Sequence, residues 1–140
     1  MKNQKVHLNP DELIQNPAFS QIVITEGKGR TIYIGGQNSV SGQGEIVGKG
    51  DILLQTGQVM ENLKIALEAC GATFRDLVKL NIYVVPGHDL RGAFQVSQKY
   101  LGNLSHPPVI TTLFVQGLAH PDFLLEIDGV AFLPENEDQV

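Results

Sequence analysis

The chain has 140 residues and a mass of 15.3 kDa, enough to close one hydrophobic core as a single domain over 1–140. Ten basic against fifteen acidic residues give a net charge of −5. That balance argues against sequence-blind nucleic-acid binding, which needs a dense Lys/Arg surface.

Only 18% of the residues are charged and 42% are hydrophobic, whereas about 25% charged is usual for a soluble domain. Part of the surface is therefore expected to be covered by another copy of the chain. The lone cysteine, Cys70, excludes an intrachain disulfide and a Cys-rich zinc site. No apolar run approaches the roughly 18 residues of a membrane span. Met1 to Asn9 is polar and lacks the apolar stretch of a secretory signal. A cytoplasmic protein without a membrane partner is the expectation.

Gln21 to Thr25 alternate around Ile22 and Ile24, and Thr31 to Ile34 are β-branched or aromatic. With the turn Gly27-Lys28-Gly29-Arg30 between them, the two segments read as a hairpin. Ser39 to Gly50, rich in Gly and Ser, reads as a loop. Asp51 then stands as a helix N-cap. Val59, Leu63, Ala66, Leu67 and Cys70 follow on one face of a 3.6-residue helix, and Gly71 closes it as the C′ residue. Gly57 inside this helix costs about 1 kcal/mol relative to Ala, so a neighbour is expected to require a small residue there.

Leu77 to Val85 reads as a strand ended by Pro86-Gly87. Asp89 caps a second helix running to about Leu101. Val109 to Val115 and Phe123 to Leu133 read as two long strands of a closing hairpin, joined through Gly117 to Pro121. Pro134 to Val140 reads as a solvated acidic tail. The order predicts an α+β fold, a mixed sheet of about six strands with both helices on one face. The other face is left rich in Val, Ile, Leu and Phe.

Glu126 is the most informative single residue. It lies in the apolar run Phe123 to Phe132, where Glu126, Asp128, Val130 and Phe132 share a strand face. Two readings stay open for it. Buried without a cation, its carboxyl would titrate near neutrality and could carry a proton. On an edge strand, it would discourage aggregation. Asp128 reads as structural. The glycines at 42, 44, 48 and 50 precede a helix but match neither a P-loop nor a dinucleotide fingerprint. His7, His88, His106 and His120 read as loop residues without metal-ligand spacing. Cys70, at a helix C-terminus, reads as a packed thiol rather than a nucleophile.

The pattern as a whole resembles the RidA/YjgF family, also called the L-PSP or reactive-intermediate-deaminase family. The resemblance runs from about Asn16 to Phe132. It is carried by Phe19-Ser20-Gln21, Gly35-Gly36-Gln37, Gly44-Glu45, Gln55-Thr56 and Glu61-Asn62-Leu63. It continues through Ala69-Cys70-Gly71, Asp76-Leu77-Val78-Lys79, Pro107-Pro108 and Leu125-Glu126-Ile127.

The resemblance implies a chorismate-mutase-like fold, and homotrimers whose sheets line a central barrel with ligand clefts between subunits. It also implies hydrolysis of reactive enamines and imines without a cofactor or metal. Glu126 matches the family glutamate beside the attacking water. The family arginine that grips the substrate carboxylate falls at Ile110, the tyrosine at Phe19 and the serine at Gly35. Gly36, Gln37 and Thr112 match cleft positions, and Phe114 is expected beside them. A cleft of Glu126 with Phe19, Ile110 and Phe114 would favour a neutral or amine-bearing molecule over an anionic 2-imino acid. A trimer that binds a metabolite without turning it over is the alternative reading.

Overall fold

The computed structural model describes residues 1–136. Six strands and two α-helices follow one another as β1 (Gln4–Leu8), β2 (Ile22–Glu26), β3 (Gly29–Gln37), α1 (Ile52–Ala69), β4 (Leu77–Val84), α2 (Leu90–Leu101), β5 (Val109–Phe114) and β6 (Leu125–Pro134). A single 3₁₀ turn, Phe74–Asp76, leads into β4. The α+β expectation holds. The strands divide into a β1–β2 ribbon and a four-stranded sheet in the order β3-β6-β4-β5. β4 and β5 are parallel, and the remaining pairs are antiparallel.

Two expected pairings are corrected. β2 pairs with β1 and β3 pairs with β6, so the segments around Gly27 to Arg30 do not form a hairpin. Long-range pairing outweighs the local turn signal. β5 and β6 are not neighbours either, because β4 lies between them. The N-terminal segment contains β1, whose Val6 and Leu8 alternate with Lys5 and His7. At the other end Pro134 closes β6, and the Glu135 amide donates to the Lys28 carbonyl at 3.0 Å. The rest of the expected acidic tail, 137–140, lies outside the described residues.

Both helices begin where the sequence places them. Asp51 accepts from the Leu53 and Leu54 amides, and Asp89 accepts from the Gly92 amide. Gly71 follows α1 with φ +75°, the left-handed conformation that a Cβ would penalise. Val59, Met60, Leu63 and Leu67 of α1 are fully buried. They join Ile32, Ile34, Leu80, Leu125, Ile127 and Ala131 of the sheet in one core. Gly57 lies beside α2, where an added Cβ would meet Val96 at an ordinary 3.9 Å. The small residue there is not forced by contact.

Two polar side chains of α1 fix the loops around the core. The Gln55 side chain is completely buried. It donates to the carbonyls of Gly48 (3.1 Å) and Asp122 (2.9 Å) and accepts from the Leu124 amide (2.9 Å). Asn62 donates to the carbonyls of Asn38 and Val40, tying down the chain as it leaves β3. Both belong to motifs that carry the family resemblance, and the structure gives them a bracing role.

Candidate functional site

β6 alternates strictly at its start. Leu125, Ile127 and Gly129 are buried toward the helices, while Glu126, Asp128 and Val130 are half-buried on the opposite face. Phe132 departs from that set and is buried. β6 lies between β3 and β4, so Glu126 stands on a central strand. That removes the edge-strand explanation for its charge.

Around Glu126 the open face is polar. Cross-strand registry places Tyr83 beside Glu126 and Asn81 beside Asp128. The Asn81 amide donates to the Asp128 carboxylate at 2.8 Å. The negative charge of Asp128 raises the Tyr83 phenol above its ordinary pKa. Partial desolvation, a hydrogen bond to Asp128 and the charge of Glu126 act in the same direction. Asp128 is thus structural, as expected, and also sets the electrostatics of its neighbour.

On the β3 side the register shifts by one residue between Ile34 and Gln37, a bulge formed at Gly35-Gly36. Bulges often re-aim the chain next to functional sites. A Cβ on residue 36 would collide with the Glu126 carboxylate, whereas a Cβ on residue 35 would meet nothing within 4 Å. Gln37 resumes the pairing opposite Ile127, and its amide turns back to the Gly35 carbonyl at 3.2 Å.

The remaining expected site residues lie on the other side of the sheet. Phe19, Ile110 and Thr112 line a cleft of about 280 Å³ between α2, the segment before β2 and the sheet. Thr112 and Phe114 line a second cavity of about 200 Å³ with Phe94, Ile82, Val84 and Leu125. Ile82, Phe94, Ser97, Thr112 and Ile127 border both cavities. They form one apolar cleft under α2, and no charged side chain lines it among the described residues.

Within one chain, therefore, Glu126 is not surrounded by Phe19, Ile110 and Phe114. Glu126 and Gly36 occupy the open face, and the apolar set occupies the helix face. Alternation along one strand places residues on faces, but it does not tell which face of the neighbouring strand matches. Tyr83 and Asn81 were not singled out from the sequence. Their signal was the alternation of polar and apolar residues from Leu80 to Val84.

His7 is not a loop residue. It lies in β1, with its ring 5.3 Å from that of His106. Ser20 donates to the Pro107 carbonyl, and His7 Nδ1 lies 3.0 Å from Ser20 Oγ. Burial is the main reason that the His7 pKa is lowered, and the charges of Lys5 and His106 add to it. His88, His106 and His120 do lie outside the helices and strands.

Two helices on one face of a mixed sheet with a parallel β4–β5 pair, and a glycine bulge against a strand carboxylate, define a recognisable class of small α+β proteins. The sequence matches the family described as endoribonuclease L-PSP over residues 11–133, and the chain belongs to that family. It is 36% identical over 104 residues to a RutC family protein of Pyrococcus horikoshii, covering 74% of this chain and 80% of that protein. A 2-iminobutanoate/2-iminopropanoate deaminase of Dermatophagoides farinae is 27% identical over 100 residues, covering 66% of this chain and 76% of the deaminase. The fold matches the crystal structure of a Rid-family protein of Yersinia pestis with a TM-score of 0.81 and 34% identity. That match covers 92% of this chain and 98% of the other. No helix among the described residues is long and apolar enough to cross a membrane.

Proposed function

We propose that this chain forms a homotrimer with small-molecule sites in clefts between subunits, and that these sites hydrolyse an enamine or imine other than a standard 2-imino acid. The observation that carries this reading is the separation of two half-sites on opposite faces of one sheet. The bulge places Gly36 against Glu126 on one face, and the apolar cleft of Phe19, Ile110 and Thr112 lies on the other. A site using both must be completed by a second chain. Exposed apolar residues on the open face, Tyr33 at 79% and Leu113 at 50%, support association there.

In the proposed reaction Glu126 orients a water and accepts its proton as the oxygen adds to the imine carbon. The proton then passes to nitrogen, the C–N bond breaks, and ammonia (or, from an N-substituted imine, the amine) departs to leave a carbonyl product. Glu126 is the catalytic residue, and Gly35, Gly36, Gln37, Phe19, Ile110, Thr112 and Phe114 contact the ligand. Ile110 in place of a guanidinium supplies no bidentate partner for a substrate carboxylate. One such charge-assisted interaction amounts to roughly 1.5–3 kcal/mol, or about ten- to a hundredfold in affinity. A neutral or amine-bearing substrate is therefore favoured.

The test generates 2-aminoacrylate in situ with a dehydratase and follows ammonia release, beside a panel of neutral imines made from primary amines and aldehydes, whose hydrolysis is followed as release of the aldehyde. Faster release from a neutral imine that Glu126→Gln abolishes is expected. Acceleration with 2-aminoacrylate alone overturns the substrate assignment. No acceleration with any substrate, together with saturable binding of amines by calorimetry, establishes the metabolite-binding trimer instead. Light scattering at three times the 15.3 kDa chain mass is the expected assembly readout.

A further inference from the structure

Away from the Glu126 site, three separate segments bring basic side chains to one place. β1 supplies Lys5 and His7, the 3₁₀ turn supplies Arg75, and the connection from α2 to β5 supplies His106. They line a cavity of about 320 Å³, with Asn103 and Ser105 on its rim. No carboxylate forms an ion pair with any of these four among the described residues.

Asp76 accepts from the Thr73 amide at 2.8 Å and acts on Lys5 through its charge, without an ion pair. Lys5 Nζ donates to the carbonyls of Arg75 and Leu77, so one of its three donors is left over. Burial lowers the Lys5 pKa, and Lys5 and His106 in turn disfavour a charged His7. Clustered like charges repel one another, and here they occur in a chain of net charge −5. A bound anion would remove that repulsion.

We propose that this cavity binds the phosphate group of a small molecule, with Arg75 as the bidentate donor, Lys5 as a second cationic partner and His106 as a hydrogen-bond donor. A guanidinium fork and an ammonium suit a dianionic tetrahedral oxyanion better than a single carboxylate. Asn103 and Ser105 give the rim hydrogen-bonding capacity for an attached organic part. The cluster is too small and too isolated on an acidic chain to follow a nucleic-acid backbone.

The experiment titrates inorganic phosphate into the full chain at constant ionic strength, with chloride as the balancing anion, and follows the His7 and His106 imidazole resonances. A saturable shift of both is expected, with affinity falling roughly tenfold or more in Arg75→Gln. His106→Asn is the second variant, read through His7. Both substituted side chains are exposed, so folding should not be lost. A phosphomonoester arm separates the two sources. Tighter binding than inorganic phosphate assigns the rest of the cavity to the ester's organic part, and equal binding assigns the site to the free ion.

Shifts that match those given by chloride alone would overturn the proposal. So would an unchanged midpoint in Arg75→Gln, or no shift at all. A single-stranded RNA oligonucleotide that binds more tightly than the phosphomonoester, and loses that binding in the same variant, would replace the small-molecule assignment.

Discussion

Gly36 lies directly against Glu126: a Cβ on residue 36 would collide with the carboxylate oxygen of Glu126 as it stands. Gly36 does not have a positive φ, so its backbone conformation does not require glycine. The requirement comes from the neighbour. Gly36→Ala should displace the Glu126 side chain. The colliding atoms are the far end of a flexible, half-buried side chain that can swing aside, so the cost should stay at about 1 kcal/mol, the low end for an overpacked site. Gly35→Ala, one residue away with open space around it, should change the denaturation midpoint little. Chemical denaturation of the two variants in parallel checks the pair, and equal losses would refute the assignment.

Gln55 is the second point of attack. Replacing it by Leu keeps the volume but leaves the Leu124 amide and the carbonyls of Gly48 and Asp122 without their partner. Unsatisfied buried groups cost about 1–3 kcal/mol each when water cannot reach them. A loss of about 2–4 kcal/mol is expected, at the upper end of single substitutions. Gln58→Leu removes only an amide contact to Asn62 and should cost far less.

His7 predicts an acid limb. Its pKa in the folded chain is lowered from 6.5, first by burial, so the unfolded chain binds the proton more readily. Stability from this group is complete above 6.5 and is lost as pH falls through the lower folded value. Melting temperature followed from pH 8 down to about pH 5 should decline, and His7→Asn should flatten that decline. An identical slope in the variant would remove His7 as its cause.

Tyr83 predicts an alkaline limb of opposite origin. Its folded pKa is raised from 10.0, chiefly by the Asp128 charge, so the folded chain holds the phenol proton more firmly. The stability it contributes is present below 10.0 and is lost as pH rises through the higher folded value. Asp128→Asn should move the phenol's spectroscopic titration back toward 10.0. A titration unmoved by that substitution would mean another group sets it.

The local elements were legible wherever one residue dictates its own surroundings. Asp51 and Asp89 announce helix starts, Gly71 announces a helix end, and both helices fall within a residue or two of expectation. Pairing was less legible because it depends on distant partners. Gly27 to Arg30 has the chemistry of a tight turn, yet β2 finds β1 and β3 finds β6. β1 was hidden because only Val6 and Leu8 interrupt its polar residues.

The site shows the same division. Glu126 stood out because a carboxylate in an apolar strand is expensive to place. That Ile110 and Phe114 face away from it depends on the register of β4 with both β5 and β6, which no single segment encodes.

The two helices are anchored very differently. Seven side chains of α1 are buried, including Ile52, Met60 and Leu67, whereas no side chain of α2 is. Beneath α2 lie the cavities bordered by Phe94, Ser97 and Thr112. Regions with few buried contacts open at a fraction of the global unfolding free energy. Amides of α2 should therefore exchange with solvent well before those of α1. Pressure, which eliminates void volume, should loosen α2 before it melts the sheet. Access to the apolar cleft would then be governed by the departure of a single helix, while the strand bearing Glu126 stays in place.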